Sequence, residues 1–277
     1  MAASLLLVTI GVFGLFRPKE LTLRPVPGQV LLLEAGGEKI VLGGALRLRI
    51  ADCGLQIEDH GCVQRVSSQE SEFILSVPGK IERRFRGRLQ VTGAGDRLVA
   101  VVALDRETAV ASVVAAESPP GASLEALKAQ AVVARSFFAA MTARGRHDGF
   151  DFCDTTHCQF LREPPDSGDP AWLATAQTRG LILHYRGAAL AAYYSANCGG
   201  RTRSLAEAGM PAEGYPYFGV ECSYCLRNAR ERRGHGLGLC QEGAAGMAAA
   251  GAGFREILGH YYPNAILSSL REEPESR

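Results

Sequence analysis

The chain has 277 residues, of which 47% are hydrophobic, and its 30 Lys and Arg against 29 Asp and Glu leave a formal net charge of +1. A chain of this length buries about three quarters of its unfolded surface and forms one or two domains, so disorder and collagen-like repeats are excluded. The near-zero charge lacks the basic surface of a dedicated nucleic-acid-binding protein, so nucleic acid is not expected as a partner. Eight cysteines are too many to be only ordinary buried core residues and too few for a disulfide scaffold in a chain of this length.

The two ends of the chain differ in character. Residues 1–16 are nearly all apolar, but no Lys or Arg precedes this run and no small-residue cleavage site follows it. The run is also shorter than the ~20 residues that cross a membrane. We therefore predict a buried first β-strand rather than a signal peptide, and no membrane span. Residues 271–277 are mostly charged and are predicted to form a flexible tail.

Residues 1–87 show short apolar alternations separated by turn residues, which predicts a β-rich N-terminal region of mostly antiparallel strands. Gly36 and Gly37 lie between two such runs and predict a tight hairpin, because glycine readily adopts the positive φ that these turns require. The alternation extends past this region, and the predicted strands cover residues 30–34, 39–42, 45–50, 73–77, 81–85, 88–91 and 98–102.

The pattern changes to helices at residue 104. Asp105 can cap a helix that ends before a Ser-Pro-Pro-Gly turn, and Ser123 can cap a second helix over residues 124–144. One stripe of the second helix is apolar and should pack on the core; it consists of Leu127, Ala131, Ala134 and Phe138. A short helix over 171–179, strands over 181–185 and 189–195, glycine-rich loops and a closing helix over 254–258 are predicted to follow.

These elements predict an α+β fold. The N-terminal mostly antiparallel β subdomain, residues 1–87, is expected to be inserted on or packed against a second domain of helices and strands over residues 88–270.

Four metal-ligating side chains lie within twelve residues: His147, Cys153, His157 and Cys158. Two imidazoles and two thiols make a set that tetrahedral zinc accepts, and with four protein ligands such a metal is structural. The alternative is a disulfide between Cys153 and Cys158 beside two unrelated histidines. We favour the metal, because a loop with little apolar content needs a cross-link to stabilise it.

A second cysteine group contains one C-x2-C pair and consists of Cys198, Cys222, Cys225 and Cys240. A second zinc site, two disulfides and free buried thiols are all compatible with this spacing. Cys53 and Cys62 are nine residues apart and are candidates for a pair of their own.

Glu117 stands at the predicted end of the first helix, directly before the Ser-Pro-Pro turn. Val113, Val114 and the next helix would give its carboxyl an apolar setting, and burial raises the pKa of a carboxyl toward the value that a general acid needs. The alternative is that this residue only ends a helix at the surface.

Several motifs occur in order along the chain. After the acid and its proline turn come Glu125–Arg135 (EALKAQAVVAR), Tyr194–Thr202 (YSANCGGRT), Gly234–Gln241 (GHGLGLCQ) and Tyr261–Pro263 (YYP). With these motifs the chain resembles the SpoIID family of peptidoglycan-cleaving proteins over about residues 88–267. Cys198 and Cys240 stand where that family usually has other residues.

The resemblance implies a peptidoglycan lytic transglycosylase that acts on peptide-stripped glycan strands. It would cleave the bond between N-acetylmuramic acid and N-acetylglucosamine and leave 1,6-anhydro ends, with Glu117 as the sole catalytic acid and base. The implied substrate-binding residues are Lys128, Arg135, Tyr194, Ser195, Gly199, Gly200, Thr202, His235 and Gln241. Structural zinc on the loop with two histidines and two cysteines, and an extracytoplasmic location in the cell envelope, follow from the same resemblance.

Three alternatives to these roles stay open. Lys128 and Arg135 could instead form a solvated basic face that pairs with Glu125 or Asp148. The whole protein could be a non-catalytic peptidoglycan-binding protein that stimulates a cell-wall amidase, which would then be its partner. A zinc-stabilised interaction module unrelated to sugars fits only the count of metal ligands.

Overall fold

The computed structural model describes residues 7–142, 144–211 and 214–270. They form two compact units: the first takes the described residues up to Ser112 together with Thr142–Pro164, and the second takes Val113–Met141 and the described residues from Pro165 onward. Strands and helices both contribute extensively, which confirms the α+β fold class. The proposed domain boundary after residue 87 stays a prediction, and the tail over 271–277 and residues 1–6 of the first apolar run lie outside the described residues.

The first unit is built on one large sheet. Its strands are β1 (Leu7–Val12), β2 (Glu20–Pro25), β3 (Leu31–Ala35), β4 (Glu38–Leu42), β5 (Leu46–Ala51), β6 (Gly54–Ile57), β7 (Gly61–Val63), β8 (Arg65–Ser68), β9 (Ser71–Val77), β10 (Ile81–Ala94), β11 (Arg97–Asp105) and β12 (Phe152–Cys153). The hydrogen-bonded order is β12-β1-β11-β10-β9-β2-β5-β6-β7, while β8 pairs with β10 and β3, and β3 pairs with β4. Neighbouring strands are antiparallel except for β1 and β12, which are parallel.

Alternation of buried and exposed residues explains the strands that the sequence predicts. Along β2 every second side chain is buried, so that one face of the strand joins a core that includes Phe73 and Phe85, whose rings stack at 5.7 Å. The hairpin between β3 and β4 turns at Gly36 and Gly37, both with positive φ, as predicted. Cys53 and Cys62 form a disulfide, which confirms that pairing.

One prediction in this unit is wrong. The runs over 81–85 and 88–91 are a single strand, β10, which pairs with β9 along its first half and with β11 along its second. Gly87 lets the strand continue, because a Cβ at this position would collide with the backbone carbonyl of Ala103 in β11. The sequence also did not predict β6, β7 and β8, each of which is four residues or shorter.

Besides a 3-10 turn at Gly14–Phe16, six α-helices and five short strands make up the remaining described elements. They are α1 (Arg106–Glu117), α2 (Leu124–Met141), α3 (Pro170–Gln177), β13 (Leu181–Tyr185), β14 (Ala188–Ala189), β15 (Tyr194–Ser195), α4 (Ser223–Arg227), β16 (Leu239–Cys240), α5 (Gln241–Ala249), α6 (Phe254–Tyr261) and β17 (Ile266–Ser269). Asp105 caps α1 as predicted, since its carboxylate accepts the backbone N–H of Thr108 at 3.1 Å. The boundary between the two units falls within α1.

Helix α2 is the core of the second unit. The predicted stripe is buried, but so are most other side chains from Ala126 to Phe138, because α3, α5, α6 and β13 pack around the helix. The helix ends at Met141, three residues before the predicted end.

Helix α5 replaces part of a region predicted as glycine-rich loops, and two of its glycines have a packing reason. A Cβ at Gly243 would collide with the hydroxyl of Tyr261, and a Cβ at Gly246 with the ring of Tyr224. Among the described helices none is long and apolar enough to cross a membrane.

Candidate functional site

Glu117 is the last residue of α1 and is half-buried. The phenol of Tyr194 donates a hydrogen bond to its Oε1 at 2.8 Å, and the side-chain amide of Gln241 donates to its backbone carbonyl at 2.9 Å. The structure therefore brings together the proposed acid and two of the residues predicted to bind substrate.

Two short strands position these partners. In the parallel pair of β15 and β16, Tyr194 lies opposite Leu239 and Ser195 opposite Cys240, and Gln241 follows as the first residue of α5. Burial and the neighbouring Glu117 carboxylate raise the pKa of Tyr194 well above its ordinary value, so this phenol stays protonated and acts as a donor.

Gln130 on α2 belongs to the same site, although the sequence analysis did not single it out. It is 2% exposed, and its Oε1 lies 3.5 Å from the amide nitrogen of Gln241. Its own Nε2, together with the hydroxyls of Ser118 and Ser195, is buried without a hydrogen-bond partner among the described residues. A glutamine inside an apolar helix stripe, three residues after Leu127, is the signal that could have identified it.

Lys128 pairs with Glu125, one of the two acids that the alternative of a solvated basic face names. Its ammonium lies 2.6 Å from the Glu125 carboxylate, which also accepts the backbone N–H of Phe254 at 2.8 Å. The hydrogen bond from Lys128, followed by that from Phe254, lowers the pKa of Glu125.

Arg135 is fully buried, so it is not part of a solvated face. Its guanidinium donates to the backbone carbonyls of Leu181 at 3.0 Å and Thr175 at 3.2 Å. These contacts join α2 to the end of α3 and the start of β13, which is a framework position.

The remaining residues predicted to bind substrate lie in the two glycine-rich motifs, Tyr194–Thr202 and Gly234–Gln241. Gly199 and Gly200 both adopt positive φ, and a Cβ on Gly200 would lie 2.6 Å from Leu226. Thr202 is buried, and its hydroxyl donates to the carbonyl of Phe218 at 3.2 Å. His235 is exposed at the surface, and its Nδ1 accepts the backbone N–H of Leu237 at 3.0 Å.

His147, Cys153, His157 and Cys158 do converge, in the first unit. Their ligand atoms all lie within 4.8 Å of one another, with Nε2 of His147 3.1 Å from the Cys158 sulfur and Nδ1 of His157 3.7 Å from the Cys153 sulfur. The thiol of Cys158 donates to Cys153 and thereby lowers the pKa of Cys153 to about 4. Neither cysteine forms a disulfide in the structure.

Asp154 fastens this loop to the sheet. Its carboxylate accepts the backbone N–H of Phe13 at 3.2 Å and pairs with Arg83 at 2.9 Å. Burial is the largest influence on Asp154 and raises its pKa, while both partners oppose this effect. The loop that holds the two histidines and two cysteines is thus tied to β1 and β10.

The second cysteine group also converges, inside the second unit. Cys198, Cys222, Cys225 and Cys240 are all buried free thiols, and their sulfurs lie within 4.8 Å of one another. S–H hydrogen bonds from Cys198 and Cys240 lower the pKa of Cys222.

The model of the family described as SpoIID, Stage II sporulation protein, matches residues 94–185. This match confirms the resemblance to the SpoIID family over that stretch. The match includes Glu117, α2 and the loop with two histidines and two cysteines, whereas Tyr194 and Gln241 lie beyond it.

A relative from Brachyspira hyodysenteriae, an uncharacterized protein, is 34% identical over 121 residues. The alignment covers 43% of this chain and 33% of the relative, so the chain spans about a third of that protein's length. The match over residues 94–185 favours a function related to the cell wall.

Proposed function

We propose that the protein is a lytic transglycosylase of peptidoglycan glycan strands and that Glu117 is its catalytic acid and base. The observation that carries the proposal is the hydrogen bond from the protonated Tyr194 phenol to the Glu117 carboxyl, in a chain that matches the SpoIID family model over residues 94–185. The activity would place the protein outside the cytoplasm, in the cell envelope.

One carboxyl is sufficient for this reaction, in contrast to the two of most glycoside hydrolases. Protonated Glu117 donates its proton to the glycosidic oxygen as the bond from that oxygen to the muramyl C1 breaks. The C6 hydroxyl oxygen of the same sugar then bonds to C1, and its proton goes to the Glu117 carboxylate. The proton of the acid is restored, and the product ends in a 1,6-anhydro ring.

The contacts around Glu117 suit this double role. Tyr194 holds Oε1, which fixes the direction of the carboxyl group. Gln241 holds the backbone carbonyl of the same residue, so the end of α1 keeps its position during the reaction. A group that must give and then take back one proton gains from such fixed geometry, because reacting atoms have to stay within hydrogen-bond distance.

The polar groups near the acid match a neutral sugar. The amide nitrogen of Gln130 and the hydroxyls of Ser118 and Ser195 are buried donors that the described chain does not satisfy. Hydroxyl and acetamido groups of a glycan can accept such hydrogen bonds, and a buried unsatisfied donor is costly when it stays without a ligand. We assign these three groups, with Gly199, Gly200 and His235, to glycan recognition.

The loop with two histidines and two cysteines fits zinc by its donor set. Two imidazole nitrogens and two thiolates within 4.8 Å of one another are what a closed tetrahedral site needs. When bound, the metal supplies cross-linking of a loop rather than chemistry, because His147, Cys153, His157 and Cys158 would fill its coordination.

The proposal is tested by digestion of purified peptide-free glycan strands, with products separated and weighed by mass spectrometry. The wild-type protein should give anhydro-ended fragments, each lighter by one water than a hydrolysed fragment. Glu117→Gln should lower the rate by at least ~100-fold, the usual contribution of a general acid or base. Glu256→Gln, an exposed acid on α6, serves as the matched control and should keep full activity.

Equal activity of Glu117→Gln and the wild type would overturn the role of this residue, and hydrolysed ends would overturn the reaction class. Wild-type protein that binds the strands without cleaving them would point to the non-catalytic role beside an amidase.

A further inference from the structure

The four-cysteine cluster, which consists of Cys198, Cys222, Cys225 and Cys240, belongs to the second unit, whereas the loop with two histidines and two cysteines belongs to the first. Its sulfurs come from three separate segments: Cys198 after β15, Cys222 and Cys225 at the start of α4, and Cys240 at the end of β16. All four residues are at most 2% exposed. We propose that this cluster binds one zinc ion through four thiolates. The metal would thereby stabilise the pairing of β15 and β16, which position Tyr194 and Gln241.

The distances favour a metal over disulfides. With zinc–sulfur bonds of ~2.3 Å, the sulfurs of a tetrahedral site are ~3.8 Å apart. The sulfurs of Cys225 and Cys240 are 3.5 Å apart, and all four lie within 4.8 Å of one another. Because each sulfur lies within this distance of the other three, the group is one cluster and not two separate pairs.

The surroundings are those of thiolates in a dry core. The backbone N–H of Gly243 donates to the sulfur of Cys240 at 3.3 Å, and the hydroxyl of Tyr261 lies 3.4 Å from the sulfur of Cys222. Cys240 is also the N-cap of α5, where the positive end of the helix dipole favours negative charge. Such outer contacts orient ligands and offset the charge that four thiolates bring to one divalent ion.

Gly243 shows how closely the chain approaches the cluster. A Cβ on this residue would lie 2.5 Å from the Cys222 sulfur and 3.3 Å from the Cys240 sulfur, and it would also collide with Tyr261. Glycine within a helix is less favourable than alanine, so its use in the first turn of α5 needs a reason. The hydroxyl of Tyr261 and the sulfurs of Cys222 and Cys240 together occupy the space that this glycine leaves.

The cluster is connected to the contacts of Glu117 by very short stretches of chain. Cys240 directly precedes Gln241, and it pairs with Ser195, the neighbour of Tyr194. A metal at this point would hold both strands in register. This link to catalysis rests on the proposed function, whereas the metal site itself does not.

Metal content of the purified full-length protein, measured by elemental mass spectrometry, is the first test. The wild type should contain about two equivalents of zinc, and Cys225→Ser and Cys158→Ser should each contain about one less than the wild type. The Cys225→Ser and Cys158→Ser variants remove ligands from different clusters, so each serves as the control for the other. Equal zinc in the wild type and in Cys225→Ser would overturn the proposal, as would iron in place of zinc.

A second test uses only the wild type and so does not depend on folding of a variant. The protein is unfolded in denaturant with a chelator and without reductant, then alkylated and digested for mass spectrometry. The four cluster cysteines should be alkylated at once, while the disulfide-bonded Cys53 and Cys62 should react only after reduction. Cluster cysteines that also require reduction would show disulfides and overturn the metal assignment. Neither test uses glycan cleavage, so loss of the proposed function would leave this proposal intact.

Discussion

Arg135→Met tests whether this arginine is a framework residue or a substrate ligand. Methionine keeps an unbranched apolar stem and removes the guanidinium that donates to the carbonyls of Leu181 and Thr175. A buried polar group that loses its partner costs about 1–3 kcal/mol. Thr175 keeps a second donor, because its carbonyl also accepts the hydroxyl of Thr178. Two carbonyls without a partner would cost about 2–6 kcal/mol together. Because Thr175 keeps a donor, the variant should be less stable by about 2–4 kcal/mol, in the lower half of that range.

The assay is thermal unfolding followed by circular dichroism. One kcal/mol shifts Tm by about 2–4 °C in a protein of this size class, so Arg135→Met should lower Tm by roughly 4–16 °C. Arg179→Met, an exposed arginine two residues past α3, is the control and should leave Tm unchanged. An Arg135→Met protein with wild-type Tm and a large rise in KM for glycan strands would refute the framework role and restore the substrate contact implied by the family resemblance.

Two further predictions concern hydrogen bonds to carboxylates. Tyr194→Phe removes a donor to Glu117 that is worth about 1.5–3 kcal/mol, so kcat on peptide-free glycan strands should fall by roughly 10- to 100-fold with KM little changed; an unchanged kcat would show that the phenol has no part in the reaction. Glu125→Gln removes a carboxylate whose pKa lies below its ordinary 4.5 because Lys128 and the N–H of Phe254 donate to it. The stabilisation by the Glu125 carboxylate is fully present above pH 4.5 and is lost as the pH falls through its lower folded-state pKa. Denaturant unfolding should therefore show a lower free energy of unfolding for the variant than for the wild type at neutral pH, and this difference should shrink in acid. A difference that does not depend on pH would contradict this.

The sheet of the first unit was largely predictable because period-two alternation is a local signal. It fails where the alternation is interrupted without a break in the backbone, as at Gly87 in the middle of β10. It also fails for β6 to β8, which are too short to show a period. Helix α5 is missed for another reason: its alanines and glycines carry no apolar stripe, and contacts with Tyr224 and Tyr261 decide its packing.

In the candidate site, the family resemblance that the ordered motifs carry identified Glu117, Tyr194 and Gln241, which the structure brings together. Both cysteine-containing clusters were also found from residue type and spacing alone. Spacing could not separate a metal from disulfides in the second cluster, because only the three-dimensional arrangement shows that every sulfur neighbours the others. The role of Arg135 was equally out of reach, since its partners are backbone carbonyls that have no signature in the sequence.

In helix α2, the hydrogen-bond partners of a buried polar residue distinguish a structural role from a ligand-binding role better than its position on the helix does. Because this helix is buried on nearly every side, its periodicity does not distinguish a solvent face from a ligand face. Arg135 and Ser136 are buried and satisfied by the chain, the latter through the carbonyl of Val132 and the N–H of Leu183. Gln130 is equally buried, yet its amide nitrogen has no partner within the described chain. Since a buried donor without a partner costs about 1–3 kcal/mol, the residue that the chain leaves unsatisfied is the one that a ligand would complete.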